Sequence, residues 1–118
     1  AFRRAVKSLT SIKVPLAGDG KSPSWFGMPV IIKNCTKKRL RSIKEILKGS
    51  KIESRPFLAG NFAYQPVMDK YTHVKYGNLR ISKTLEETAL ALPCHQSLKK
   101  EDMHRMADML NQALEDTK

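Results

Sequence analysis

The sequence predicts an α+β fold: a small sheet with helices packed on one face. Three observations carry that prediction. The chain has 118 residues, 41% of them hydrophobic, which suits one compact domain spanning 1–118. Apolar residues recur at helical spacing in some stretches and as short runs in others. The resulting order is helix, strand, helix, strand, loop, helix, strand, helix, and short strands set between helices pack as two layers.

Residues 1–12 place Phe2, Val6 and Leu9 four and three apart, the tail of an amphipathic helix. Ala17 to Ser24 is rich in Gly, Asp, Ser and Pro and reads as a linker. Trp25 to Ile32 ends in Val30-Ile31-Ile32, a buried strand. Pro29 removes one ladder donor, so its start is an edge or a bulge. Thr36 caps the next helix by accepting from an orphan N–H. Leu40, Ile43, Ile46 and Leu47 form its inward stripe, and Gly49 is expected to end it as a left-handed residue. Lys51 to Phe57 is extended, because Pro56 disfavours the α region at Arg55. Residues 58–77 read as irregular. A short helix over Leu79–Thr88 and a strand over Ala89–Leu92 stopped by Pro93 follow. Ser97 is expected to cap the last helix, whose apolar face is Met103, Met106, Met109 or Leu110, and Ala113 or Leu114. Its Met-rich stripe reads as core.

The formal net charge is +11. Such a balance points to an anionic partner, whether nucleic acid, a phosphorylated ligand or a membrane surface. Lys33, Lys37, Lys38, Arg39, Arg41, Lys44, Lys48 and Lys51 face only Glu45. Apolar residues interrupt them at helical spacing, so the run also reads as a solvated helix face. There is neither an 18-residue apolar run nor an apolar stretch behind the N-terminal charges, so no membrane span or secretory signal is indicated. Cys35 and Cys94 leave one disulfide open, but sparse cysteine fits a reducing compartment, and a cytoplasmic setting is expected. No Cys/His cluster has zinc spacing. The chain starts at Ala1 and reads as part of something longer.

Catalytic motifs are scarce. Gly18-Asp19-Gly20-Lys21-Ser22 lacks the phosphate-loop spacing. Cys94-His95 are sequence neighbours, which on an extended chain point to opposite faces, so they make a poor nucleophile–base pair. No lysine reads as a cofactor lysine, since each stands in a polar, basic context. The loop Arg55 to Pro66 is richer. It offers a guanidinium, two amides and several aromatics, a mixture that suits a phosphate- or hydroxyl-bearing ligand. The same residues could equally be a buried Arg with aromatics filling core.

Four segments match one family in register. Ser24-Trp25-Phe26-Gly27-Met28-Pro29-Val30 resembles the SWFGFP strand of the DegT/DnrJ/EryC1/StrS sugar aminotransferases. Lys51-Ile52-Glu53-Ser54-Arg55-Pro56-Phe57 resembles their GIE-T/S-RP segment, and Ala59 to Pro66 their AGNF–x–x–QP loop. Leu92 to Leu98, followed by Glu101-Asp102, resembles the LPxHxxLTEED run. Two departures stand out. Lys51 occupies a position usually held by Gly, and Lys99-Lys100 replace an acidic pair after the cap.

The resemblance implies the C-terminal small lobe of a fold type I PLP-dependent transferase, with the large PLP-binding domain and its lysine outside this chain. It implies a parent enzyme acting on a nucleotide-linked 4-keto-6-deoxy sugar, feeding lipopolysaccharide or other polysaccharide synthesis. Most members are aminotransferases; one branch removes the C3 hydroxyl instead. Pyridoxal phosphate would be bound by the parent, and none is expected on this chain alone, which should be inactive by itself. Partners would be the nucleotide sugar, the large domain and a second copy as a homodimer. The candidate substrate-binding residues are Glu53, Arg55 and Asn61, with Trp25, Gln65 and His95 behind them; no catalytic or metal-binding residue is assigned. A basic nucleic-acid-binding module is the rival class, and it leaves the Trp25-Phe26-Gly27 and AGNF motifs unexplained.

Overall fold

A computed structural model describes residues 1–58 and 61–118. Four strands form one antiparallel sheet in the order β1-β2-β4-β3, where β1 is Ile12–Lys13, β2 Met28–Ile32, β3 Arg55–Pro56 and β4 Ala89–Leu92. The helices are α1 (Phe2–Ala5), α2 (Lys37–Gly49), α3 (Arg80–Thr88) and α4 (Lys100–Asp116). The pairing of β2 with β4 is the spine, running from Met28 opposite Leu92 to Ile31 opposite Ala89.

Alternation along those strands separates the layers. Val30, Ile32, Leu90 and Leu92 are buried and join Leu40, Ile43 and Leu47 of α2 and Met106, Leu110 and Leu114 of α4 in one core. Phe2 and Val6 join the same core from the N-terminal turn. Ile31 and Ala91 alternate onto the opposite face and are only half-buried. The α+β expectation, with helices on one face, matches this arrangement.

Several local expectations are corrected. The first helix ends at Ala5 instead of running to residue 12, and Ile12–Lys13 instead pairs with Ile32 and Ile31. Ser8, Thr10 and Ser11 compete with helical backbone bonds, which explains the early stop. The strand begins at Met28, not Trp25. β1 reaches only Ile31 and Ile32, so Pro29 lies where β4 alone flanks the strand and its missing donor is tolerated. Both cysteines are free thiols.

Helix ends show the largest differences. Thr36 caps α2 as expected, its hydroxyl accepting from the Arg39 N–H at 3.2 Å. Gly49 is still helical; Lys51 takes the left-handed conformation, with φ 58°. Lys51 N–H bonds the Lys48 carbonyl and Ile52 N–H the Leu47 carbonyl, both at 2.9 Å. That is the Schellman pattern, with buried Ile52 and Leu47 in the places of its hydrophobic contact. At the start of α4, Lys99 rather than Ser97 is the cap residue, and its N–H donates to the Asp102 carboxylate at 2.8 Å. The acidic Glu101 and Asp102 still sit in the first turn, at the positive end of the helix dipole. Within the irregular stretch, Phe62–Tyr64 and Pro66–Lys70 are short 3₁₀ turns. Ala59 and Gly60, the start of the AGNF motif, lie outside the described residues.

Candidate functional site

The sheet face away from the helix core carries a cleft of about 780 Å³. Its lining includes Gly27, Pro29 and Ala91 together with Trp25, Glu53, Arg55 and His95. A Cβ at Gly27 would come into ordinary contact with the Ala91 Cβ at 3.4 Å and the Leu92 carbonyl at 3.5 Å, so the glycine sits directly against β4. Phe26 and Leu58 stand 91% and 79% exposed at the same cleft, an unusual cost for large apolar groups.

Four of the six residues expected at a binding site therefore meet in one place. Arg55 is fixed at the sheet edge because β3 pairs it with Ala91. Its Nε donates to Glu53 Oε1 at 2.8 Å, and the Nη nitrogens take no part in that bond. Both side chains are about two-thirds exposed, so the pair orders the guanidinium more than it stabilises the fold. Trp25 is held by Arg3, whose guanidinium lies 5.4 Å from the ring centroid and also donates to the Pro15 carbonyl. It forms a wall between this cleft and a second one of about 560 Å³ lined by Phe2, Arg3, Leu98 and Met103.

Asn61 and Gln65 are not in the lining. Asn61 is 3% exposed, and its Nδ2 lacks a hydrogen-bond partner among the described residues. Leaving such a donor unpaired costs roughly 1–3 kcal/mol. Gln65 is half-buried at the junction of the two 3₁₀ turns. Cys94 was not expected here, yet it lines both clefts. Its neighbour His95 was the available signal. Cys35 lies elsewhere, and burial pushes its thiol up from the ordinary value, with the nearby Arg39 opposing the shift.

The lysines do not fit a cofactor role. Schiff-base lysines are desolvated, whereas every lysine here is exposed except half-buried Lys44, which projects from α2. Among the described residues no group of three or more His, Cys, Asp or Glu could hold a metal ion. No helix among the described residues is long and apolar enough to cross a membrane.

The model of the DegT/DnrJ/EryC1/StrS aminotransferase family matches residues 1–111. The chain belongs to this family. Among relatives of this DegT-family chain, the lipopolysaccharide biosynthesis protein RfbH of Salmonella typhimurium is 31% identical over 76 residues, covering 64% of this chain and 17% of RfbH. A structure of GDP-4-keto-6-deoxymannose-3-dehydratase with a trapped PLP-glutamate geminal diamine superposes with TM-score 0.79 at 24% identity. It covers 92% of this chain and 28% of that protein. The aminotransferase TlmJ from Streptoalloteichus hindustanus gives TM-score 0.79 at 16% identity, covering 98% and 29%. The fold is thus that of a segment of PLP-dependent sugar aminotransferases and a 3-dehydratase. The chain spans under a third of each of these relatives.

Proposed function

We propose that this chain is the C-terminal small lobe of a PLP-dependent sugar aminotransferase acting on a nucleotide-linked 4-keto-6-deoxy sugar in lipopolysaccharide or other polysaccharide biosynthesis. The observation that carries this reading is the meeting of Trp25, Glu53, Arg55 and His95 around one open cleft in a chain of this family. Arg55 suits an oxyanion and Glu53 a sugar hydroxyl, while the Trp25 ring suits an apolar sugar face. His95 adds a further hydrogen-bonding group at the rim. Asn61 holds a buried amide donor without a partner among the described residues, and Gln65 stands at the start of the second 3₁₀ turn.

In this reading the cofactor and its lysine are supplied by a large domain outside the chain. That domain covers the exposed Phe26 and Leu58, and the complete enzyme is a cytoplasmic homodimer. The 118 residues alone bind no cofactor and are inactive. The likeness to the 3-dehydratase keeps C3 deoxygenation as the second reading.

The test is product analysis. The complete enzyme is loaded with PLP and given GDP- or dTDP-linked 4-keto-6-deoxy sugars with glutamate. A 4-amino sugar supports the aminotransferase; a 3-deoxy product selects the dehydratase. Failure to consume any of these substrates, with the cofactor bound, overturns both readings.

A further inference from the structure

The loop that carries Trp25 has little of its own to hold it. Gly18 to Ser24 are all exposed, so packing contributes little there. Between Pro15 and Trp25 the described residues form one backbone hydrogen bond, from the Lys21 N–H to the Gly18 carbonyl at 3.0 Å. A segment with so few buried contacts and bonds opens readily. Yet Trp25, at its end, is half-buried and sits where the cleft and the smaller cavity meet. Pro29 and Cys94 line both spaces as well, and the indole is the largest group of that partition.

Arg3 joins the two ends of this loop. Its guanidinium lies over the indole, 5.4 Å from the ring centroid, and its Nη2 donates to the Pro15 carbonyl at 2.6 Å. Arg3 itself stands on a fixed base, because its neighbour Phe2 is buried and α1 packs against α4. Among the described residues Arg3 forms no ion pair with a carboxylate. A guanidinium performs both tasks at once: its plane stacks on an aromatic face while an N–H at its edge donates. An ammonium has no plane to stack. An incidental surface arginine gives one such contact; the two together, at Pro15 and at Trp25, close the loop.

We propose that Arg3 is a positioning residue that holds the Trp25 ring as the partition between the cleft and the smaller cavity. The ring's ligand contact is the one read above, and the inference rests on that reading for its effect on catalysis. Without Arg3 the ring is released, the two spaces merge, and the cleft loses the flat wall that an apolar sugar face packs against.

Trp25 is the only tryptophan of the chain, so its fluorescence reads the ring directly, with no ligand present. Arg3→Met is expected to shift the emission to the red and to increase quenching by acrylamide. Arg3→Lys keeps the charge and falls between Arg3→Met and the parent; if Arg3→Met fails to fold, Arg3→Lys alone decides. Arg4→Met, on the same turn and outside both spaces, is the control and matches the parent. Labelling by a maleimide, read residue by residue in a mass spectrometer, is faster at Cys94 in Arg3→Met and unchanged at Cys35, which lines neither space. Circular dichroism and the melting temperature are taken on each sample. An arginine that served stability alone would lower the melting temperature and leave the emission and the Cys94 rate of the folded chain unchanged, which overturns the proposal. An equal red shift in Arg4→Met also overturns it. In the complete PLP-loaded enzyme, Arg3→Met should raise KM for the nucleotide sugar roughly two- to fivefold, the worth of one exposed cation–π contact, with kcat near that of the parent. In a Trp25→Ala background the same substitution should add nothing. An unchanged KM, or full additivity with Trp25→Ala, sinks the positioning role while the turnover itself upholds the proposed function. A red shift in an enzyme that turns nothing over leaves Arg3 its hold on the ring and sinks the proposed function instead.

Discussion

Arg55 donates its Nε to Glu53 Oε1 at 2.8 Å across a single intervening residue, so the guanidinium is oriented by the segment that leads into its strand. An exposed pair like this contributes about 0–1 kcal/mol. Glu53→Gln should therefore leave the thermal midpoint of the chain within about 3 °C, as a calorimetric scan would show. A larger fall would mean that the pair is structural rather than part of a binding site.

Lys51 gives the opposite expectation. Its left-handed φ costs about 1 kcal/mol that glycine avoids. Lys51→Gly should raise stability by that amount, about 4 °C in the midpoint. Lys51→Ala, which keeps the Cβ, should gain nothing. Urea titration of the two variants checks the difference.

Phe26 and Leu58 leave a broad apolar surface beside the cleft. Surfaces of this kind drive association when their natural cover is missing. Sedimentation should show the 118-residue chain self-associating at high concentration. Phe26→Ser with Leu58→Ser should reduce that association and change folding stability by under about 0.5 kcal/mol.

Lys37 reaches Glu86 at 2.9 Å and ties α2 to α3. The hydrogen bond and charge of Glu86 hold the Lys37 pKa above its ordinary value. A raised folded-state pKa means that the contribution is present below the ordinary lysine range. It disappears as the pH climbs through the folded value. The Lys37→Met variant should thus show a weaker loss of stability than the parent between neutral and strongly alkaline pH. Denaturation curves across that interval decide it.

How much of this was legible beforehand depended on the range of the interaction. The α2 stripe of Leu40, Ile43, Ile46 and Leu47 and the short apolar runs of β2 and β4 are local patterns; Leu40, Ile43, Leu47, Val30, Ile32, Leu90 and Leu92 are in the core, and Ile46 packs half-buried against it. The two-residue strand Ile12–Lys13 has no pattern of its own and exists only because Ile31 and Ile32 offer it an edge. Gly49 was the expected helix stop by residue preference, yet the left-handed turn fell two residues later. Burial of Ile52 against the core sets that register, since Ile52 must follow the turn directly. Ser97 looked like a cap for the same local reason, but Asp102 reaches back to Lys99 instead.

The site divides in the same way. Glu53 and Arg55 share one segment, and the sequence placed them together. Their meeting with Trp25 and His95 depends on the order β2-β4-β3, which brings three distant segments to one sheet face. The family motifs stood in for that topology. Cys94 escaped notice because an extended dipeptide argued against pairing with His95, while its place in the cleft lining depended on strand order alone.

The most direct test of the central claim is kinetic: Trp25→Ala and Arg55→Ala in the complete PLP-loaded enzyme, with KM for the nucleotide sugar and the melting temperature measured on the same samples. Loss of one ring contact or one charge-assisted bond should raise KM by about tenfold or more, with melting temperatures near that of the parent. An unchanged KM in both variants would contradict the account and leave the cleft a surface without a ligand.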